Sequence, residues 1–206
     1  FDANEVVSTN EDTPLSGSVL TGTTSPDGPV TVTSFQVAGN AAVFTAGQTA
    51  SIAGIGTLLI NADGSYTFTP AANYNGPVPV VTYTMTDGSS GDTSTLTITV
   101  AGVNDAPVGN ADANSGPEDT VLAGNVLAND TDIDNDALTV TQFVVDGITY
   151  TAGQTAAIAN VGALTINADG SYVFTPAANF SGAVPTATYT LSDGGTTAIS
   201  TLNLSL

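Results

Sequence analysis

The stretch NADGSYTFTPAANYNG at residues 61–76 is the most informative part of the sequence, because it returns as NADGSYVFTPAANFSG at residues 167–182. After the letters NADG, an aromatic residue stands at every second position, as Tyr66 and Phe68 do in the first copy. Alternation of this kind indicates a half-buried β-strand. Asp and Gly in NADG tolerate the backbone of a tight turn. The stretch therefore predicts a β-hairpin that occurs twice.

Two further stretches repeat in the same order and at nearly the same spacing. AGQTASIAGIG from Ala46 returns as AGQTAAIANVG from Ala152. EDTPLSGSVL from Glu11 returns as EDTVLAGNVL from Glu118. Self-similarity at a regular spacing indicates copies of one structural unit. The chain therefore divides into a first and a second repeat, which meet near VNDAP at residues 103–107.

Each repeat is predicted to be an all-β sandwich. In STLTITV, Leu96, Ile98 and Val100 alternate with threonines, and no segment of the chain has helical periodicity. Several short strands within about 100 residues favour two antiparallel sheets joined by Greek-key links. We expect two tandem Ig-like, cadherin-like sandwiches at residues 1–104 and 105–206, arranged end to end because the segment between them is short.

The aromatic residues predict a core rather than a sugar-binding platform. All but Phe1 recur at equivalent places in both repeats, and tryptophan is absent. Recurrence of this kind is typical of core or corner positions. The pairs are Phe35 and Phe143, Phe44 and Tyr150, Tyr66 and Tyr172, Phe68 and Phe174, Tyr74 and Phe180, and Tyr83 and Tyr189.

The composition removes several classes of function. The 206 residues include 19 acids but no Lys, Arg, His or Cys, which gives a formal net charge of -19. Nucleic acids and anionic membranes need basic side chains, while soft-metal sites and thiol or imidazole nucleophiles need Cys or His. No apolar stretch approaches the roughly 20 residues of a membrane helix. With 41% hydrophobic residues, the chain is expected to fold, to insert into no membrane and to bind no nucleic acid.

One group of acids has no counterpart in the first repeat. The stretch NDTDIDND at residues 129–136 carries an aspartate at every second position, where the first repeat reads TGTTSPDGP and has only Asp27. Counting the strands as antiparallel neighbours places this loop, the linker residue Asp105 and Asp193 at the same end of the second repeat. That end is therefore predicted to gather carboxylates.

Such carboxylates repel one another, by roughly 3 kcal/mol for a pair about 5 Å apart at an effective dielectric constant of about 20. Calcium is the favoured partner, because it binds about six to eight hard oxygen ligands. An EF-hand does not fit, since Asn135 stands where Gly is needed and Thr141 stands where the bidentate Glu is needed. A solvated acidic turn is the alternative, because Asp and Asn are common in turns.

The ordered set of motifs resembles a known family. EDTxLxGxVLAND, DIDND, NADGSYxFTPAAN, TYTxxDG and VNDAP are similar to the tandem cadherin-like (VCBS-type) repeats of very large bacterial surface adhesins. The resemblance covers nearly the whole chain. It implies calcium-binding β-sandwiches that act as spacer, or extender, modules of calcium-dependent RTX-type adhesins. It also implies an extracellular location at the bacterial cell surface after type I secretion.

The same motif order is similar to animal cadherins and implies a set of ligands. In those proteins, joints between repeats bind calcium through an acidic strand residue, a linker Asn-Asp, an Asp-x-Asp loop and an Asp before Gly. Gly102 stands where that linker has an acid, so we expect only about one or two calcium ions. Carried over residue by residue, the predicted metal ligands are Glu11, Asn104, Asp105, Asp132 and Asp134, with Asp130 or Asp136 nearby, and Asp193.

The leading functional interpretation is mechanical. We expect a calcium-rigidified spacer that holds a distal adhesive domain away from the cell in adhesion and biofilm formation. Its expected partners are neighbouring repeats of the same chain, and we expect it to be monomeric and part of a longer protein. A module that binds carbohydrate or a protein partner is the alternative. An enzyme is not expected, because paired carboxylates on turns have no cationic or imidazole partner here.

Overall fold

The computed structural model describes residues 2–206, so Phe1, the aromatic residue without a counterpart, lies outside the described residues. The chain forms two compact units, the first ending at Val103 and the second running from Asn104 to Leu206. Strands are the only regular secondary structure within residues 2–206. In that range no helix is long and apolar enough to cross a membrane. The prediction of an all-β chain with two tandem domains is confirmed.

The first unit contains ten strands, which are β1 (Glu5–Asn10), β2 (Leu15–Ser18), β3 (Thr31–Val37), β4 (Phe44–Thr45), β5 (Thr49–Ile52), β6 (Gly56–Ile60), β7 (Ser65–Pro70), β8 (Gly76–Pro77), β9 (Val81–Thr86) and β10 (Gly91–Ala101). One sheet has the strand order β1, β10, β9, β3 and β4, with β8 paired to β10. The other has the order β2, β7, β6 and β5. The two sheets enclose the core of a sandwich.

The second unit repeats this arrangement with nine strands, which are β11 (Asp112–Ser115), β12 (Leu122–Asn125), β13 (Thr139–Val145), β14 (Ile148–Thr151), β15 (Thr155–Ile158), β16 (Gly162–Ile166), β17 (Ser171–Pro176), β18 (Ala187–Ser192) and β19 (Thr197–Ser205). Its sheets have the orders β11, β19, β18, β13, β14 and β12, β17, β16, β15. The acidic stretch 129–136 lies between β12 and β13, and Asp193 directly follows β18.

One strand pair in each unit departs from the predicted antiparallel arrangement. β1 runs parallel to β10, and β11 runs parallel to β19. The first and last strands of a unit are connected through the whole domain rather than by a hairpin, so they are free to pair in parallel. The repeated stretch does form the predicted hairpin, because β6 and β7 pair antiparallel around Gly64, whose φ is +81°.

Each unit buries its own core, and the predicted alternation is confirmed. Leu96, Ile98 and Val100 are each at most 2% exposed. Among the paired aromatic residues, the largest fully buried side chains are Phe35, Phe68 and Tyr83 in the first unit and Phe143, Phe174 and Tyr189 in the second. These side chains supply much of the apolar area that the sandwich removes from water. Four of the six pairs are therefore core residues, as predicted, and the other two, Phe44 with Tyr150 and Tyr74 with Phe180, are partly buried and pack against the cores.

Candidate metal centre

The acidic loop of the second unit folds around the side chain of Asp132. Oδ1 of Asp132 accepts hydrogen bonds from the backbone amides of Asp134, at 2.9 Å, and Asp136, at 3.3 Å. Between them, Asn135 adopts a φ of +62°, a left-handed conformation that Asn tolerates better than most residues. Asp132 therefore forms the local turn and holds the backbone of Asp134 and Asp136 close to its own carboxylate.

Three carboxylates meet in this loop. Asp132, Asp134 and Asp136 each offer an oxygen, and these oxygens all lie within 4.8 Å of one another. Asp132 and Asp134 are half-buried, whereas Asp136 is exposed. Oδ2 of Asp132 is buried and has no hydrogen-bond partner. Because the chain has no Lys, Arg or His, no side chain neutralises this cluster.

The linker residues at the start of the second unit approach the same loop. The backbone amide of Asp105 donates a hydrogen bond to Oδ2 of Asp134 at 2.8 Å. The side-chain amide of Asn104 donates to Oδ2 of Asp193 at 2.9 Å. The structure thus brings together Asn104, Asp105, Asp134 and Asp193, which the sequence placed at one end of this unit. Their role as metal ligands remains a prediction.

Asp193 sits in a tight turn that stabilises its charge. The Thr196 hydroxyl donates to Oδ2 of Asp193 at 2.6 Å, and the amides of Thr196 and Gly195 donate to Oδ1, each also at 2.6 Å. These donors, the Thr196 hydroxyl first, hold the pKa of Asp193 well below its ordinary value. Sequence reasoning missed Thr196. The signal was available, because Thr196 is the third residue after an aspartate that precedes two glycines.

Asp130 has a different setting from the other aspartates of the loop. Its Oδ1 accepts a hydrogen bond from the amide of Asn110 at 2.6 Å, and its Oδ2 lies 3.0 Å from the hydroxyl of Tyr189. The same hydroxyl lies 3.0 Å from Oδ2 of Asp112. Burial raises the pKa of Asp112, which sequence reasoning also missed. The signal was the acid Glu5, which takes the place of Asp112 in the first repeat when Glu11 is aligned with Glu118.

Glu11, the remaining predicted ligand, belongs to the first unit. It follows β1 directly and is only 4% exposed. Its Oε1 accepts a hydrogen bond from the amide of Val103, while its Oε2 is buried and has no hydrogen-bond partner. A buried carboxylate oxygen in this state is costly unless a cation or a proton reaches it. The ligand role predicted for Glu11 remains open to test.

At the corresponding end of the first unit, hydrogen bonds from the same unit stabilise Asp87, the counterpart of Asp193. Ser25, which the same alignment of the repeats pairs with Asp132, donates its hydroxyl to Oδ2 of Asp87 at 2.6 Å. The amides of Ser89 and Ser90 donate to Oδ1 of Asp87 at 2.9 and 2.8 Å. The Ser25 hydroxyl and these amides hold the pKa of Asp87 well below its ordinary value. Asp87 is therefore stabilised without a cation.

Two successive two-sheet sandwiches, of which one carries an acidic loop, define the class of the protein as a tandem β-sandwich repeat. The chain belongs to the bacterial cadherin-like domain family, whose family model matches residues 2–102 and 104–206. Each match coincides closely with one compact unit. Membership of this family indicates an extracellular or surface protein.

The solved structures that resemble the chain are remote in sequence. A chimeric titin Z1Z2-Z1Z2 tandem is 17% identical, with 98% of this chain and 94% of that chain covered and a TM-score of 0.34. Dpr11 IG1 bound to DIP-gamma IG+IG2 is 13% identical, with 100% and 96% covered and a TM-score of 0.37. The endo-fucoidan hydrolase MfFcnA4, from glycoside hydrolase family 107, is 15% identical, with 98% and 27% covered and a TM-score of 0.32. No curated protein matches the chain. At these TM-scores the likenesses carry no argument, so the assignment rests on the family model.

Proposed function

We propose that the chain is a pair of calcium-rigidified spacer repeats from a large bacterial surface adhesin. The observation that carries the proposal is Oδ2 of Asp132, which is buried without a hydrogen-bond partner beside the carboxylates of Asp134 and Asp136. A charged oxygen in this state is costly unless a counter-ion accompanies it. Since the chain has no basic side chain, the counter-ion must come from solution.

The donor set suits calcium better than other common metals. The oxygens of Asp132, Asp134 and Asp136 are hard ligands, and the chain has no Cys or His for a soft metal. When bound, calcium would supply the positive charge that the sequence lacks. Asp193 is held ionised by its own turn, so it is ready to take part.

The full proposed ligand set keeps most of the residues that the sequence indicated. Asn104 and Asp105 are included because they are hydrogen-bonded to Asp193 and Asp134. Glu11 is included because its Oε2 is buried without a hydrogen-bond partner. Asp130 is left out, because it is not one of the three carboxylates that meet around Asp132 and its Oδ2 lies 3.0 Å from the buried hydroxyl of Tyr189 instead.

The mechanical part of the proposal depends on the linker. Asn104 and Asp105 directly follow Val103, the last residue of the first unit. Their hydrogen bonds to Asp193 and Asp134 mean that a cation fixing those side chains would also fix the linker. A fixed linker limits the freedom of the chain between repeats. That restriction is what a spacer needs if it is to hold a distal adhesive domain away from the cell.

The proposed setting is an RTX-type adhesin that is exported by type I secretion and serves in adhesion and biofilm formation. A net charge of -19 favours solubility and mutual repulsion between neighbouring stalks. Where calcium is scarce, the same charge opposes compaction and so favours export in an unfolded state. We propose a monomeric, non-enzymatic module whose partners are the neighbouring repeats of its own chain, without nucleic-acid binding or membrane insertion.

Calorimetry on the full chain tests the calcium site. Replacing Asp132 and Asp134 together by Asn should weaken calcium binding about tenfold or more, a loss of roughly 1.4 kcal/mol per tenfold. The control variant D27N/D92N removes two exposed acids of the first unit and should bind calcium like the unmodified chain. Circular dichroism should show that both variants are folded. Equal affinity in D132N/D134N and in the unmodified chain would contradict the proposal.

Two further measurements separate the spacer from the ligand-binding alternative. Small-angle scattering in calcium should give the elongated particle expected of repeats arranged end to end. Removal of calcium should broaden the distribution of particle dimensions, because the linker is then free to bend. A glycan array probed with the full chain should show no binding. Reproducible binding to one class of glycan would favour the ligand-binding module instead.

A further inference from the structure

The hydroxyl of Tyr83, in the first unit, lies within hydrogen-bond distance of more acceptors than it can donate to. Its oxygen is 2.5 Å from Oδ2 of Asp2, 2.5 Å from Oε2 of Glu5 and 3.0 Å from the carbonyl oxygen of Val19. A phenol has one hydrogen and can donate one hydrogen bond, although it can also accept. A second hydrogen is therefore needed if both carboxylate contacts are to be hydrogen bonds.

The two carboxylates lie close together, and the chain offers no basic side chain to pair with them. Both oxygens are 2.5 Å from the same phenol oxygen, so they are at most 5.0 Å apart (2.5 + 2.5). The hydroxyl of Thr23 donates to Oδ1 of Asp2, but it brings no positive charge. The titratable groups that interact with the pair are Tyr83 and Tyr66, and burial raises the pKa of each. The whole chain has no Lys, Arg or His.

We propose that Asp2 and Glu5 form a proton-binding pair across the hydroxyl of Tyr83, and that the bound proton fastens the start of β1 to the core of the first unit. Glu5, as a neutral acid, donates to the Tyr83 oxygen, and Tyr83 donates to ionised Asp2. Both 2.5 Å contacts then contain a hydrogen. The proton is taken from solvent and bonds to one carboxylate oxygen, and no other bond is made or broken.

The surroundings of Glu5 favour its neutral form. Burial raises the pKa of Glu5 above its ordinary value of 4.5, and Asp2 raises it further, while the hydrogen bond from Tyr83 acts in the opposite direction. A carboxyl group with a raised folded-state pKa stabilises the fold below its unfolded-state pKa. That contribution is lost as the pH rises through the folded-state pKa. This pair therefore loosens the first unit as the pH rises above 4.5.

Carboxyl titration by NMR tests the pair directly. The chain has three glutamates, Glu5, Glu11 and Glu118, so labelling with carboxyl-13C glutamate gives three signals in the full chain. With chelator present, and with E5Q to assign the signal, Glu5 should titrate above 4.5. Replacing Asp2 by Asn should move the Glu5 midpoint downward, because it removes the neighbouring charge. A Glu5 midpoint at or below 4.5, or one that D2N leaves in place, would overturn the proposal.

Thermal melting supplies an independent readout. E5Q keeps a hydrogen-bond donor toward Tyr83 but removes the charge, so at pH 7 it should raise the melting temperature of the first unit by a few degrees and flatten its pH dependence. The control D92N removes an exposed acid of the same unit. The methyl signal of Met85, the single methionine and 3% exposed in β9, reports melting of the first unit alone. An equal shift in E5Q and D92N, or a lower melting temperature in E5Q, would overturn the proposal.

Discussion

The two units place the same aspartate in the same turn and stabilise it differently. In the first unit, Ser25 donates its hydroxyl to Asp87, and the turn is complete without a cation. In the second unit, Asp132 stands at the place of Ser25, and a hydroxyl from within the turn, that of Thr196, donates to Asp193. The exchange of a hydroxyl for a carboxylate leaves the second loop with a buried oxygen, Oδ2 of Asp132, that has no hydrogen-bond partner. If the proposed calcium site is correct, similar sandwiches differ in metal dependence through a few loop residues.

A second comparison concerns the buried tyrosines. Tyr83 and Tyr189 are both 0% exposed, and each hydroxyl lies near two carboxylates. In the first unit Asp2 provides one carboxylate and Thr23 hydrogen-bonds to it. In the second unit, the residue that aligns with Thr23 is itself the acid, Asp130. This carboxylate thus comes from Asp2, before β1, in the first unit and from Asp130, between β12 and β13, in the second. Both units place a carboxylate at this point of the tyrosine hydroxyl, although the two acids do not align in sequence.

The largest expected effect is the difference between the two units in how much calcium stabilises them. A ligand that binds only the folded state stabilises it by RT ln(1 + [L]/Kd), or about 2.7 kcal/mol when free calcium is 100 times Kd. Amide hydrogen exchange in β18 should show this gain in the second unit, whereas the Met85 methyl signal should show a smaller change in the first, which contributes only Glu11 to the proposed ligand set. Magnesium chloride at the same ionic strength is the control. Identical exchange in β18 with calcium and with chelator would support a solvated acidic turn.

Replacing Ser25 by Asp should make the first unit resemble the second. The change removes the hydroxyl that donates to Asp87 and adds a second carboxylate near it, so without calcium the melting temperature of the first unit should fall by several degrees. The matched variant S25A loses the donor but adds no charge, so its fall should be smaller. Calcium should recover part of the loss in S25D and none in S25A. If both variants melt alike in calcium and in chelator, charge at this position is not what distinguishes the units.

Much of the fold followed from the sequence because its signals are local. The hairpin around Gly64, the alternation of Leu96 with Ile98, and the recurrence of aromatic residues all depend on neighbours in sequence. The parallel pairing of β1 with β10 could not be read in this way. It joins strands that are far apart in the sequence, as Glu5 and Leu96 are, and no turn between them fixes their direction.

The candidate site was predictable in position but not in detail. Strand counting brought Asp105, Asp134 and Asp193 to one end of the second unit, where the structure has them. The setting of Asp130 could not be derived, because it depends on Tyr189, which lies 59 residues further along the chain and reaches it only through the packed core. The side-chain direction of Asp130 is set by this distant contact, whereas Asp132 makes its hydrogen bonds within the loop.

The smallest effect should come from Thr196→Val, which keeps the shape of the side chain but removes its hydroxyl. The lowered pKa of Asp193 means that its ionised form stabilises the fold above its ordinary value of 3.8, and that this contribution is lost as the pH falls through the folded-state pKa. In the variant the pKa should rise part of the way toward 3.8, because the amides of Gly195 and Thr196 still donate. Carboxyl titration by NMR should show this rise, with only a slight loss of stability at pH 7. The exposed neighbour Thr197, replaced by Val, is the control. An Asp193 titration that is the same in both variants would mean that the backbone amides and Asn104 hold the charge without the hydroxyl, and that the two units differ less than their hydroxyl donors indicate.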